Sequence, residues 1–327
     1  MEEFSDVAPT VNHRQVAGVS RFEVVFDSAA GRQTKRIYAN GRMQVLVVVL
    51  VSFIDESGQS IKPTPDILDS LTLIHYNGGH NLDRTWKVSK LPNDYRHEMS
   101  GSGGRFARES GTDDDSLIRL DRWVSCTTVS EVAIGAALTL PNGVVKTNNT
   151  NSVPAGTDSH VGIEAIAPVH YALECFQLTK VEFLTSSPQT LIKWYLSLYV
   201  AGVKLPLRDW SWDGYDPFDY VSFYSNPYMH SSGTEWGYVV GVIAGIDVTR
   251  AHVWLPSNDP GRREENYYVP VNDKEGELNL IQGFSLWPRR NVAVMKAPFA
   301  LTVYDEFGTK HELRLHTHEY DYSLTLH

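Results

Sequence analysis

Residues 45–58 read VLVVVLVSFIDESG, a β-branched apolar run that stops at a polar turn ending in glycine. Valine and isoleucine suit a pleated, buried surface, so this stretch predicts a strand running into a turn. The same pattern returns twice in different wording, as AALTLPNG at residues 136–143 and FALTVYDEFG at residues 299–308. Each copy predicts a strand, a tight turn and a second strand, so the chain is expected to be built from β-hairpins. The turn glycines stand at 58, 143 and 308, too unevenly for a solenoid of short equal repeats.

Working outward, residues 21–26 and 35–38 predict further strands, and Asn40-Gly41 predicts a type I′ hairpin because both residues tolerate positive φ. Thr64-Pro65-Asp66 supplies an N-cap, a proline suited to a first helical turn and an early acid, so residues 65–69 predict one short helix. Residues 77–118 carry Gly78-Gly79, SGSGG at 100–104 and GTDDD at 111–115, which reads as long loops around a hairpin. Residues 191–200, LIKWYLSLYV, are long enough for a helix, yet their Trp, Tyr and Val content and the flanking Pro188 and Gly202 favour a strand.

No amphipathic 3.6-residue pattern of useful length competes. The expected fold class is all-β, with two or three β-sandwich (Ig-like) modules, long loops and at most one short helix. The 327 residues exceed what one core usually organises. The polar, low-complexity stretch 147–160 is the expected boundary, giving an N-terminal arm at 1–18, sandwich modules at 19–152, and a β-rich domain at 153–327. That last domain is expected to hold an aromatic loop at 207–238 and to close with a C-terminal hairpin.

Composition narrows function. The chain carries 39 acidic against 29 basic residues, a net charge of −10, with no Lys/Arg block, so the electrostatic drive for nucleic-acid binding is missing. The longest apolar run, 45–51, falls far short of the about 20 residues that span a bilayer, so no membrane insertion is expected. The acidic start MEEFSD lacks the pattern of a secretory signal, which predicts synthesis in a cytoplasm and, for any role outside the cell, release by lysis or within a particle. Cys126 and Cys175 both lie in apolar runs, where thiols behave as small buried hydrophobes; pairing between them is the alternative.

Three constellations carry chemistry. Residues 210–238 hold ten aromatics in 29 residues, interleaved with acids at 213, 216 and 219. Rings offer apolar faces to sugar C–H groups while carboxylates take hydroxyls, which suits a glycan- or protein-binding patch built on Trp210, Trp212, Tyr215, Asp216, Tyr220, Tyr224 and Trp236. The alternative is a loop folded down on its own rings. Histidines stand at 311, 316, 318 and 327, and in a strand His316 and His318 face one side. In a trimer with this strand near the axis, three such pairs would form a transition-metal site; a polar surface strand gives the same pattern. Asp113-Asp114-Asp115 lacks the spacing of a Ca²⁺ loop and reads as a solvated acidic turn. Asn148-Asn149-Thr150 matches a glycosylation acceptor without a secretory context.

No nucleophile elbow, Walker loop or H-E-x-x-H motif occurs, and neither cysteine has a catalytic signature. Asp213 and Asp216 are the nearest pair for a glycosidase, although spacing in sequence does not set their distance.

Residues 36–45, RIYANGRMQV, with the strand that follows, and residues 123–143, WVSCTTVSEVAIGAALTLPNG, resemble segments of tail-fibre and tail-tip proteins of Pseudomonas phages and the related phage-tail bacteriocins, the pyocins. The resemblance covers about a quarter of the chain. It implies a virion or tail-like-particle component, non-enzymatic, assembled as a homo-oligomer with a trimer favoured, meeting other tail proteins and recognising a glycan or protein on a bacterial surface. The alternatives are a polysaccharide-degrading hydrolase of the same particle and a soluble lectin or toxin released by lysis.

Overall fold

In the computed structural model of the chain, the described residues are 15–27, 34–99, 116–148, 158–186, 189–211, 220–224, 228–229, 236–244, 247–256, 264–287, 299–317 and 323–327. Among them, strands dominate, joined by one five-residue helix and one single-turn 3₁₀ segment. The all-β sandwich architecture is therefore the architecture found. No helix among the described residues is long and apolar enough to cross a membrane.

The chain divides into two compact units, Met1–Asn93 with His97–Ala167, and Asp94–Arg96 with Pro168–His327. The division falls at Ala167/Pro168, beyond the low-complexity stretch at 147–160, because the strand that follows that stretch pairs inside the first unit.

The first unit contains β1 (Gly18–Phe26), β2 (Thr34–Tyr38), β3 (Val45–Ile54), α1 (Pro65–Asp69), β4 (Thr72–His75), β5 (Trp86–Ser89), β6 (Ile118–Cys126), β7 (Ser130–Leu140), β8 (Gly143–Lys146) and β9 (Val161–Ile166). One sheet runs β1-β3-β6-β5, the other β2-β9-β7-β4 with β8 beside β7, and β1 packs across onto β7 and β9. The Val-rich run is β3, central in its sheet and buried along nearly its whole length. Its alternate residues Val47, Val49, Val51 and Phe53 are fully buried, while Leu46 and Val48 join Trp123 in a smaller cluster. A strand covered on both sides reads as continuous apolar sequence, which explains the unbroken valines.

Asn40-Gly41 makes a turn but no hairpin. β2 pairs in parallel with β9 and not with β3, so this turn carries the chain from one sheet to the other. Asn40 Oδ1 accepts the amides of Arg42 and Met43, both at 2.9 Å, while Gly41 takes φ +72° and donates its amide to Cys126 O. A Cβ at Gly41 would stand 3.0 Å from Thr127 Cγ2, so both conformation and space ask for glycine. The helix forms where expected, with Pro65 in its first turn, although the Thr64 side chain makes no capping bond.

The second unit contains β10 (Phe176–Ser186), β11 (Gln189–Val200), β12 (Val203–Leu205), β13 (Leu207–Ser211), β14 (Tyr220–Tyr224), β15 (Tyr228–Met229), β16 (Trp236–Ala244), β17 (Arg250–Pro256), β18 (Glu264–Pro270), β19 (Leu278–Trp287), β20 (Phe299–Asp305), β21 (Lys310–Thr317) and β22 (Leu324–Leu326). A large sheet runs β10-β11-β19-β16-β14, with β12 and β15 at its sides; a second runs β13-β20-β21-β22; β17 and β18 form a ribbon. The two sheets share one core, in which Ile192, Trp194, Leu196 and Leu198 of β11 meet Leu301, Val303, Leu313 and Leu315. Residues 191–200 are thus a strand, as their composition predicts.

The three repeated modules part company in three dimensions. Residues 299–317 form a full hairpin, β20–β21. Residues 138–146 form a hairpin closed by a two-residue loop, Pro141-Asn142, in which Leu140 faces Gly143. After β3 the chain returns for a single bridge, Ile54 to Ser60, before leaving for α1. The described residues of the stretch 207–238 lie in strands: they supply β13, β14, β15 and the start of β16. Their rings, read above as a loop's content, are those with high strand propensity.

Candidate functional site

Of the residues of the expected aromatic patch, Trp210, Tyr220, Tyr224 and Trp236 lie in described strands. Trp210 lies in β13 opposite Val303 and packs half-buried against the shared core, with its amide held by Asp209 Oδ1 at 2.8 Å. Tyr220 and Tyr224 lie in β14 and Trp236 in β16, where it stands opposite Trp287 in the large sheet. Trp210 therefore belongs to a different sheet from these three. Trp212, Tyr215 and Asp216 lie outside the described residues, as do Asp213, Asp219, His318 and Asp113-Asp114-Asp115.

The histidines near the end also part. His311 faces inward with Leu313 and Leu315, while His316, five positions on, falls on the opposite face of β21 and stands edge-on to His327 at 5.9 Å. No group of three or more His, Cys, Asp or Glu among the described residues has metal-holding geometry. Cys126 is buried and Cys175 partly buried, and both are free thiols.

His311 shapes a cleft of about 470 Å³ in the second unit, with His170, Tyr171, Phe176, Lys310 and His327 among its walls. Its Nε2 lies 3.2 Å from Asp305 Oδ2, and both residues are buried. This has the composition of an acid–base pair, but its other bonds give it a structural task. Asp305 Oδ1 accepts the amides of Phe307 and Thr309, each at 2.9 Å, so the carboxylate builds the β20–β21 turn while His311 holds it from behind. Tyr171 and Phe176 lie against the imidazole, with ring centroids at 5.5 and 5.4 Å.

The first unit offers a different cleft, of about 320 Å³, at the open side of the sandwich. β4 and β5 are terminal strands of their respective sheets, and the cleft lies along Leu73 of β4 and Trp86 and Val88 of β5. Leu73 and Trp86 are buried, whereas Val88 is 43% exposed. Asn81, Ser89 and Lys90 add polar groups.

At the base of this cleft is Arg122, 8% exposed. It lies opposite Val47 in β6 and in phase with the fully buried Val124 and Cys126, so a cation occupies the apolar register of an inward-facing strand. Its Nη1 donates to Asp121 O at 2.8 Å. The two nearest carboxylates are engaged elsewhere: Asp69 takes Lys90 Nζ at 2.7 Å and Asp121 takes Arg119 Nε at 2.8 Å. Burial pushes the guanidinium below its ordinary range, opposed by the Asp69 and Asp121 charges acting at a distance. The hydrogen bond and charge of Lys90 hold the Asp69 carboxyl below the usual carboxylate range. A buried charge is ordinarily paired, and Arg122 is not paired with any described carboxylate.

One signal in the sequence marks this residue. Residues 120, 122, 124 and 126 read Leu, Arg, Val, Cys, an apolar phase broken by one arginine. Trp123, on the other phase, made the inward face ambiguous.

No protein-family profile matches the chain, and no curated protein matches it. Among solved structures, the chain aligns over 90% of its length with 58% of the human desmocollin-1 ectodomain, at 9% identity and a TM-score of 0.20. It aligns over 89% of its length with 97% of the C-terminal domain of the Streptococcus agalactiae AgI/II polypeptide BspA, at 10% identity and a TM-score of 0.22. At such scores the sandwich description rests on this chain's own strand pairing.

Proposed function

We propose that this chain is a structural and receptor-binding component of a phage tail or phage-tail-like particle, working as a homo-oligomer that recognises a bacterial surface without chemical turnover. The observation that carries the binding part is the first unit's cleft: a preformed recess at a sandwich edge, with apolar walls and an unpaired buried guanidinium at its base. Such a recess recognises; hydrolysis of a glycan needs two carboxyl groups across the scissile bond, and the acids nearest Arg122 are tied to Lys90 and Arg119. The segments that resemble tail-fibre sequences supply β2 with the Asn40-Gly41 turn, β3, the end of β6 and β7, the frame of this same unit.

The test uses purified full-length protein with Pseudomonas cells and isolated lipopolysaccharide. Retention on cells with glycan chain lengths unchanged is the expected result. Shortened chains overturn the non-enzymatic reading, and absence of retention across a panel of surface types overturns recognition. Light scattering after size-exclusion chromatography is expected to give a multiple of 36.7 kDa; a strict monomer removes the oligomer, and with it any shared site at His316 and His318. Trp210→Ala is a poor probe of the aromatic patch, because this ring packs on the core and its loss acts on stability.

A further inference from the structure

Resting on the recognition role just proposed, we infer that the cleft between β4 and β5 binds a carboxylate-bearing sugar, with the Arg122 guanidinium as the anion's partner. Four observations lead there. First, Arg122 is more than nine-tenths buried yet has one nitrogen bonded, to a backbone carbonyl, so most of a fork that presents five N–H donors is unspent. A charge in that position is ordinarily matched by an opposite charge, and a ligand carboxylate, accepting two parallel bonds, fits the fork.

Second, the charge count favours a monoanion. Lys90, the other cation on the cleft, is 64% exposed and held by Asp69, leaving one guanidinium for a ligand. A phosphate, carrying more charge and three strong acceptor oxygens, calls for several cations or a nest of backbone amides. Third, the walls alternate in kind: Trp86, Leu73 and Val88 supply apolar surface suited to sugar C–H groups, while Asn81 and Ser89 supply amide and hydroxyl partners. Fourth, a cleft of about 320 Å³ lies at the small end of ligand sites, which suits one sugar ring rather than an extended chain.

The experiment titrates full-length protein with glucuronate, with glucose, and with glucose 6-phosphate, read by calorimetry and by thermal shift. Glucuronate is expected to bind at least tenfold more tightly than glucose or glucose 6-phosphate, and more weakly as salt rises. Arg122→Met keeps the aliphatic stem and is expected to lose at least tenfold in glucuronate affinity while melting no lower than the parent, since it removes an uncompensated buried charge. Arg122→Lys, which keeps the charge without the fork, is expected to bind more weakly than the parent; it serves as the second probe if the methionine variant does not fold. Equal binding of glucuronate and glucose, or glucuronate affinity untouched by both substitutions, overturns the proposal. Tighter binding of the phosphate ester reassigns the cleft to phosphate and overturns it as well. Cell retention by a protein that binds no carboxylate sinks this inference alone; carboxylate binding without cell retention sinks the recognition role alone.

Discussion

The turns at residues 55–59 and 305–309, DESGQ and DEFGT, are the same local structure in two environments. In each, the aspartate amide donates to the carbonyl four residues on, the glycine amide donates back to the aspartate carbonyl, and aspartate Oδ1 accepts the amides two and four residues on. The glycines match as well, at φ +77° and +79°. Around this shared frame the two differ completely. Residues 56–59 are exposed, whereas residues 305–309 are buried throughout. Two side chains of the second unit cover the later turn. His311 meets the free oxygen of Asp305, Arg96 Nη1 reaches Glu306 Oε1 at 2.8 Å, and the Arg96 guanidinium lies 5.3 Å from the centre of the Phe307 ring. Identical hydrogen bonds thus form a spare surface turn in one place and a keystone in the other. Water can replace a lost partner only at the first.

Substitutions can break that equivalence, and the largest effect belongs to Asp305. Asp305→Ala strands His311 and two buried amides and is expected to cost about 3–5 kcal/mol, whereas Asp55→Ala, with exposed amides around it, is expected to cost about 1 kcal/mol. Urea unfolding of both variants checks this, and equal losses would mean that burial is irrelevant to the turn. Next comes Arg96→Ala, which leaves Glu306 buried without its cation and is expected to cost about 2 kcal/mol. Arg96→Lys is expected to restore only part of it, because an ammonium lacks the plane that lies on Phe307.

Gly58→Ala isolates the backbone term, since a Cβ there meets no atom within 4 Å; the positive φ alone is expected to cost about 1–2 kcal/mol. Gly308→Ala is expected to match or exceed it, and a smaller loss at 308 would contradict the buried setting. The smallest effect has the opposite sign. Ala201 closes the two-residue loop between β11 and β12 at φ +49° beside Gly202 at φ +79°, a turn that favours Asn-Gly. Ala201→Asn is expected to raise stability by about 0.5–1 kcal/mol in the same unfolding assay.

Much of the fold was legible where local chemistry and burial agree. The valines of β3, the Trp and Tyr content of β11, Thr64-Pro65-Asp66 at the helix and the Asp-Glu-x-Gly turns all state a local preference that tertiary packing then accepts. An expectation failed where partners are chosen at long range. Asn40-Gly41 has the right residues for a hairpin, but β2 finds its partner in β9, more than a hundred residues away, so the turn became a crossing between sheets. Of the aromatic stretch at 207–238, expected as a loop, the described residues lie in strands, while 212–219, 225–227 and 230–235 lie outside the described residues. Aromatic residues favour strands, and the described ones belong to two different sheets.

The candidate site was less legible than the fold. Arg122 betrays itself only as a charge in an apolar phase, and that phase is visible only once the inward face of β6 is known. Sequence alone determined the element types, because strand and turn preferences act over a few residues and each copy of the repeated module carries its own. Tertiary structure alone decided that one Asp-Glu-x-Gly turn lies open and its twin lies buried, and that an arginine from the middle of β6 ends unpaired in a cleft. Burial and charge pairing depend on which distant segments meet, and no local preference encodes that.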